Sequence, residues 1–148
     1  MDTVNPWSCS DVMVHAPASE DEPYWYARVL GIYHAKVWTF HDHVVNGGEI
    51  RRMDFLWVRW FGGEPDYQHG FRHAWLPKIG FVPLTDEYAF GFLDPKHVIW
   101  CCHLIPTFSC GRTYDLLPVP DSDARRPHYG QTQAQVEKDN WTNYYVNM

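Results

Sequence analysis

The sequence lacks a long apolar run, and none of its stretches approaches the roughly 18 apolar residues that cross a membrane as a helix. Its start, Met1-Asp2-Thr3, has neither the basic nor the apolar segment of a signal peptide. The motifs GxGxxG, GxSxG and HExxH and the P-loop are also missing. We therefore expect an intracellular protein, nuclear or cytoplasmic, that is not embedded in a membrane and carries none of these standard catalytic motifs.

Cysteine is scarce: the four residues are Cys9, Cys101, Cys102 and Cys110, and no CxxC spacing occurs. In a reducing intracellular setting such cysteines stay as thiols, so we expect free thiols rather than a disulfide framework. Neighbours on a strand point to opposite faces, so the run Cys101-Cys102-His103 cannot ligate one metal ion together. Cys102 is interpreted as a thiol in the core.

An excess of basic charge is also missing, because the formal net charge is -6. This balance argues against strong non-specific binding to DNA or RNA. Arg51, Arg52 and Arg59 nevertheless lie close together in the sequence, and with Arg28 they leave a small phosphate-binding patch as an alternative. A solvated or salt-bridged role for these arginines is the favoured interpretation.

Aromatic residues are abundant at 17% of the 148 residues, a length that fits one domain. Two runs rich in aromatic and β-branched residues, 24–37 and 53–61, predict long strands. Between them Asn46-Gly47-Gly48 favours a tight turn, so the runs are predicted to pair as a hairpin with a loop of about ten residues. The second run is apolar on both faces apart from Asp54 and Arg59, which is typical of a central strand.

The remaining pattern predicts shorter strands at 78–83, 88–93 and 98–105. Asp94 and Pro95 favour a single helical turn, and 131–138 favours a short helix. The fold class is predicted as mainly β, a small and partly open SH3-like barrel with long loops and one or two short helices.

Three segments follow from this pattern. Residues 1–22 are predicted as an N-terminal arm, 23–112 as the barrel, and 113–148 as a polar connection with an aromatic C-terminal segment that packs on the barrel. An exposed aromatic end at 141–145 would favour a homodimer.

Several strings resemble a segment found in mobile-element proteins of mushroom-forming fungi, of the Kyakuja-Dileera-Zisupton transposase type. They are YWYARVLGIYHAKV, RMDFLWVRWFG, AFGFLDPKHVIWCCHLIP, GRT and DNWTNYYVN. The resemblance covers roughly residues 23–147. It implies a transposon-derived origin and defines no activity for the segment. No acidic triad of a ribonuclease-H-like pattern is visible.

A second resemblance is to the bromo-adjacent homology (BAH) domain, a β-barrel reader of chromatin. Tyr26-Ala27-Arg28-Val29, the run 58–65, Glu87-Tyr88-Ala89-Phe90 and the run 98–104 match motifs of that domain in the same order. The loop after Pro65 departs from the family because it lacks the usual basic pattern. This resemblance implies a BAH-like barrel fold and no function, because a fold does not fix a function.

An aromatic cage is the first candidate site, because such rings bind methylated ammonium groups through cation–π attraction. An acid on the rim, Glu64 or Asp66, would add charge complementarity. The alternative is that most of these rings belong to the core. The candidate ligand-binding residues are Trp25, Tyr26, Trp57, Trp60, Phe61, Glu64, Asp66 and Tyr67, with Trp75 as a further ring.

A histidine cluster is the second candidate site. His41 and His43 would lie on one side of a strand, and His69 and His73 would share a face if their segment were helical. With Glu49 or Asp54 they would suit zinc, iron or manganese. The alternative is a set of scattered surface and loop histidines, in which case no cofactor is expected.

The sequence thus favours a non-catalytic binding module derived from a fungal mobile element. Its expected partner is a protein or peptide tail, such as a modified histone in chromatin, held by an aromatic-lined surface. The alternatives are a metal-dependent enzyme centred on the histidines and a nucleic-acid-binding module that uses Arg51, Arg52 and Arg59.

Overall fold

The computed structural model describes residues 9–20, 22–39, 49–67, 75–113 and 141–147. The predicted helix at 131–138 and the Asn46-Gly47-Gly48 turn lie outside the described residues. So do His41, His43, His69 and His73. Within the described ranges, no helix has both the length and the apolar character needed to cross a membrane.

The fold is mainly β, as predicted, and the described residues form eight strands and two short 3-10 helices. The strands are β1 (Asp11–His15), β2 (Tyr24–Thr39), β3 (Glu49–Gly63), β4 (Lys78–Phe81), β5 (Phe90–Leu93), β6 (Val98–Cys101), β7 (His103–Pro106) and β8 (Asn143–Asn147). The 3-10 helices are Pro95–His97 and Phe108–Cys110. The turn predicted after Asp94 is present, because the Asp94 carboxylate accepts a hydrogen bond from the Lys96 N–H at 2.9 Å.

The predicted hairpin is confirmed, and it is longer than the sequence indicated. Strands β2 and β3 pair antiparallel from Tyr26 opposite Phe61 to Thr39 opposite Glu49. The register shifts once, between Val29 and Gly31. Beyond Ile32 and Leu56 the described parts of the two strands continue together as a two-stranded ribbon, because β1 pairs with β2 only up to Arg28 and β5 pairs with β3 only as far as Leu56.

All eight strands belong to one antiparallel sheet that is not closed, in the order β6-β1-β2-β3-β4-β8-β7, with β5 on the second edge of β3. The two ends of this order, β6 and β7, are consecutive in the chain and are separated by Cys102 alone. The Cys102 N–H donates to the Asp11 carbonyl at 2.8 Å. The single strand predicted over 98–105 is therefore two strands, and the bend at Cys102 sends them to opposite ends of the sheet.

The sheet buries side chains on both faces. One cluster packs on the face that we call outer: Val12, Val14, Ala27, Val29, Leu56, Val58 and Leu93. The other packs on the inner face, which the sheet curls around: Met13, Tyr26, Phe61, Ile79, Tyr144 and Val146. Successive residues of β1 and β2 alternate between the two clusters, as strand geometry requires. Both faces are therefore apolar, which explains why β3 reads as an almost continuous apolar run.

Described segments near both ends of the sequence belong to this sheet. Residues 11–15 were predicted within an arm, whereas they form β1, which lies between β2 and β6 with Val12 fully buried. Near the other end, β8 lies between β4 and β7, and both Tyr144 and Val146 are buried. The aromatic end thus packs within its own chain, and the argument for a homodimer from an exposed tail no longer applies.

The prediction of four free thiols is wrong for two of them. Cys9 and Cys101 form a disulfide across 92 residues of chain, whereas Cys102 and Cys110 are free. Cys101 is brought to Cys9 because Val12, three residues after Cys9, pairs with Cys101 between β1 and β6. Cys102 packs against the inner cluster, in agreement with its interpretation as a core thiol.

Candidate ligand-binding cleft

A cleft of about 520 Å³ opens where the start of β2, the end of β3 and β4 meet the segment that leads into β5. Four of the rings predicted for a cage line it, and three further rings come from positions 24, 88 and 90. The aromatic lining residues are Tyr24, Trp25, Tyr26, Trp60, Phe61, Tyr88 and Phe90. The sequence therefore identified the strands that carry the cleft, but Tyr88, which it predicted as the start of a strand over 88–93, lies in the turn before β5 and was not named as a site residue.

Trp25 and Trp60 form the aromatic pair at the centre of the lining. Their ring centroids are 5.8 Å apart and the planes meet at 73°, an edge-to-face contact. Both side chains project from the outer face, since Trp60 pairs with Ala27 and Trp25 lies two residues earlier on the same strand. Trp25 remains 39% exposed, so a ligand can reach its ring.

Two backbone hydrogen bonds hold Trp60 in place. Its N–H donates to the Ala89 carbonyl at 3.0 Å, and its carbonyl accepts from the Val82 N–H at 3.1 Å. The indole lies over Gly91, where an added Cβ would come within 2.6 Å of Trp60 Nε1. The absence of a side chain at Gly91 thus makes room for the indole, a close approach that only glycine allows.

The acidic groups of the cleft are not those expected. Glu20, Glu22 and Asp86 line it, with Lys78 as the basic residue in the lining. Asp86 is oriented by the loop, because its carboxylate accepts a hydrogen bond from the Tyr88 N–H at 2.8 Å. The acids at 20 and 22 were visible in the sequence, but they were assigned to the arm and not to a site.

The two acids that were predicted have other positions. Glu64 accepts a hydrogen bond from the Asn143 side chain at 2.6 Å, so it joins the end of β3 to β8. Asp66 is exposed in the turn that follows β3. Neither is among the described residues that line the cleft.

Three other predicted rings, Trp57, Tyr67 and Trp75, are not among the residues that line the cleft. Trp57 stacks on Phe90, with centroids 5.9 Å apart and planes at 21°. Tyr67 stacks on Trp75 at 5.7 Å, and the Lys78 ammonium lies 5.8 Å from the centroid of the Tyr67 ring. Of the predicted cage rings, only Trp25, Tyr26, Trp60 and Phe61 are among the residues that line the cleft, and Tyr26 and Phe61 also pack in the inner cluster.

Tyr26, which packs in the inner cluster and also lines the cleft, keeps a neutral ring. Burial raises its pKa to about 12, and the nearby Cys102 and Glu22 add to the effect. A phenol that keeps its proton retains an aromatic face and a hydroxyl donor. The negative charge of the cleft is therefore carried by its three carboxylates.

The arginines predicted to contact nucleic acid do not form one patch. Arg59 is fully buried, and its guanidinium donates to the carbonyls of Ala89, at 2.9 Å, and Val82. It therefore presents no surface to a phosphate, which corrects that part of the prediction. Arg51 and Arg52 are exposed on the ribbon, where Arg52 pairs with Asp54 at 2.9 Å. Adjacent strand residues point to opposite faces, so these two do not act side by side.

The histidine site lies outside the described residues. Within the described part of the chain, no three His, Cys, Asp or Glu side chains gather to hold a metal ion. The metal hypothesis for His41, His43, His69 and His73 stays a prediction.

Comparison of the chain with protein-family models, with curated proteins and with solved structures finds no match. The chemistry of the cleft is then the main guide to function.

Proposed function

We propose that the protein is a non-catalytic binding module that receives a cationic side chain of a protein tail, such as a methylated lysine of a histone. The observation that carries this proposal is one cleft whose described lining includes both the Trp25–Trp60 pair and three acidic residues, Glu20, Glu22 and Asp86. A quaternary ammonium group has no N–H to donate, so aromatic faces and nearby negative charge are what attract it.

The charge of the lining favours a cation over an anion, since among the described residues that line the cleft three are acidic, Glu20, Glu22 and Asp86, and one is basic, Lys78. Each favourable ring contact with an ammonium contributes about 0.5–2 kcal/mol, depending on how well the site excludes water. Carboxylates at the entrance also raise the association rate of a basic tail at low salt.

The size of the cleft fits the same ligand class. Its volume of about 520 Å³ lies within the range of ligand sites, about 300–1,000 Å³. This exceeds the volume of one methylated ammonium group, so the neighbouring residues of a peptide have room as well. The sequence resemblances to fungal mobile-element proteins and to the BAH domain motivate the choice of a histone as the source of the tail.

The first test compares two small molecules of the same shape. Choline carries a quaternary ammonium, and dimethylbutanol is its neutral carbon isostere. Titration calorimetry and ligand-observed NMR should show choline binding and no dimethylbutanol binding, because only the cation interacts with the rings and carboxylates. Equal binding of both molecules would assign the cleft to an apolar ligand and contradict the proposal.

Variants assign the binding to the cleft. Trp25→Leu should abolish choline binding, and Glu22→Gln together with Asp86→Asn should weaken it about tenfold. Trp75→Leu, which removes an exposed indole outside the cleft, is the matched control. Peptides with a central lysine in the unmodified or trimethylated form then extend the test to the proposed ligand class.

The two alternatives have their own readouts. A labelled single-stranded oligonucleotide whose binding falls steeply with salt and is lost in Arg51→Ala/Arg52→Ala would favour the nucleic-acid module. Stoichiometric metal that is lost in His41→Ala/His43→Ala would favour the metal-dependent enzyme.

A further inference from the structure

Strand β5 has one edge on β3, and in the described part of the chain no strand pairs with its other edge. An unpaired edge presents N–H and C=O groups that can add another strand. Strand β5 also carries two of the residues that line the cleft, Phe90 and Gly91. The edge and the cleft are therefore parts of one surface.

The alternation of hydrogen-bonded and non-bonded pairs between β3 and β5 identifies which backbone groups of β5 point to its outer edge. The Trp60 N–H bonds the Ala89 carbonyl, and the register places Arg59 opposite Phe90 and Val58 opposite Gly91. Opposing residues of an antiparallel pair alternate between bonded and non-bonded positions. Gly91 thus points its backbone groups at β3, whereas those of Phe90 and Phe92 point to the outer edge.

The side chains on either side of this edge differ in character. Gly91 shares the outer face with Val58, and the Trp60 indole lies over it beside the carboxylates of the cleft. Phe92 lies opposite Trp57, so its side chain is on the inner face of the sheet, and it is 74% exposed. Phe55 packs edge-to-face on Phe92 at 5.4 Å, which extends this apolar surface. One side of the edge is therefore acidic and aromatic, and the other is apolar.

Resting on the function proposed above, we propose that the ligand is an extended peptide that adds antiparallel to the outer edge of β5. Its cationic residue lies opposite Gly91 and enters the cleft beneath Trp60. The residues on either side of the cation lie opposite Phe90 and Phe92, exchange backbone hydrogen bonds with them, and turn apolar side chains toward the exposed Phe92 ring. The recognised pattern is apolar–cation–apolar.

This mode follows from strand geometry and charge complementarity together. Cross-strand neighbours share a face, so a residue opposite Gly91 must project on the side of Trp60. Main-chain bonds supply part of the affinity, and alternating side chains supply the specificity. An added strand also covers the exposed edge and ring, which otherwise remain in water.

The test uses a seven-residue peptide in which a central trimethyl-lysine lies between two valines. Methylation of a peptide-bond nitrogen removes one donor and keeps every side chain. An N-methyl group on either valine should weaken binding about tenfold, whereas one on the lysine nitrogen, which points away from β5, should change it less than about twofold. Titration calorimetry with the unmodified protein measures the parent peptide and its three N-methylated forms.

Each possible result supports or overturns strand addition of the peptide to β5. Equal affinities of the parent peptide and its three N-methylated forms, with choline still bound, would overturn strand addition and leave the cation site intact. Failure of the parent peptide and of choline to bind would overturn both proposals. A dimer whose dissociation by Phe92→Pro is seen in size-exclusion chromatography, with no peptide binding, would assign the edge to a second copy of the chain.

A protein variant supplies an independent check. Phe92→Pro removes an outward N–H, which an edge strand tolerates without loss of its ladder bonds. Peptide binding should fall about tenfold or more while the choline affinity stays unchanged, and this unchanged choline binding shows that the cleft is folded. Retained peptide affinity in Phe92→Pro would contradict the proposal.

Discussion

Arg28 and Arg59 lie directly opposite each other on β2 and β3, and both guanidinium groups lie over the ring of Phe81, at 5.5 and 5.4 Å from its centroid. Like charges opposite each other on neighbouring strands are destabilising. The two cations coexist because their partners differ: Arg28 pairs with the Asp11 carboxylate, and Arg59 donates to main-chain carbonyls. Burial is the largest single effect and lowers the pKa of Arg28, but Asp11 and Tyr144 together outweigh it and raise that pKa above its ordinary value.

Replacement of Asp11 should therefore destabilise the folded protein. Asp11→Asn removes the charge that balances Arg28, and both side chains are only 12% exposed. We expect the free energy of unfolding to fall by about 3–5 kcal/mol, as for other broken buried pairs. Urea titration at pH 7 measures the change. Asp54→Asn, which breaks the exposed pair with Arg52, should cost less than about 0.5 kcal/mol, and similar losses in the two variants would contradict the account.

The Cys9–Cys101 disulfide should contribute strongly to stability. It closes a loop of 92 residues, and a long loop restricts the unfolded chain. Cys9→Ser/Cys101→Ser should lower the free energy of unfolding by about 2–5 kcal/mol, measured by urea titration. Addition of a reductant should have the same effect on the parent protein and none on the variant. Cys110→Ser is the control, and a parent protein insensitive to reductant would argue against the bond.

Gly91→Ala should impair the cleft more than the fold. The new methyl group would come within 2.6 Å of Trp60 Nε1, so the indole must move away from β5. We expect choline affinity to fall about tenfold, as for loss of one or two ring contacts. Gly63 lines the same cleft, and a Cβ added there would have no atom within 4 Å. The Gly63→Ala variant should therefore bind choline normally. Equal affinities for the two variants would mean that the position of Trp60 does not matter.

Alkaline pH should destabilise the protein through Cys102 and Tyr26. Burial, with the Asp11 carboxylate next in effect, raises the pKa of Cys102 from 9.0 to about 12, and that of Tyr26 rises from 10.0 to about 12. Below pH 9 both groups are protonated in both states, so the stability there is constant. Between pH 9 and 12 the unfolded chain loses protons that the folded chain keeps, and stability falls.

The contribution of Cys102 to this loss is roughly 2–4 kcal/mol. Brief urea titrations from pH 7 to 11 measure the loss, and Cys102→Ala should reduce its slope. Cys110→Ala should leave the slope as in the parent protein. A pH profile identical for the parent and Cys102→Ala would exclude Cys102 as a cause.

Local signals predicted the parts of the fold that depend on neighbouring residues. The Asp94-Pro95 pair specifies its helical turn through a side-chain cap and a fixed backbone angle. The hairpin of β2 and β3 follows from two aromatic and β-branched runs with turn residues between them. The mainly β class followed from the same runs. These features need no information about distant partners.

The features that were missed depend on long-range pairing. Strand β1 is short and apolar at three consecutive positions, because both its faces are covered, so it has no alternation to distinguish it from a loop. The burial of Arg59 requires carbonyls from residues 82 and 89. The cleft acids at 20, 22 and 86 come together only through the fold. No local sequence pattern encodes these contacts between distant segments.

The position of β8 has a consequence for how the nascent chain matures. As the chain leaves the ribosome, β4 and β7 are made well before residues 143–147, which must later insert between them. Until then each has an edge without its neighbour, and the pocket for Tyr144 lacks that ring. Sheets assembled from such distant segments fold slowly, and their intermediates aggregate readily. Chaperone assistance is therefore expected to raise the yield of soluble protein.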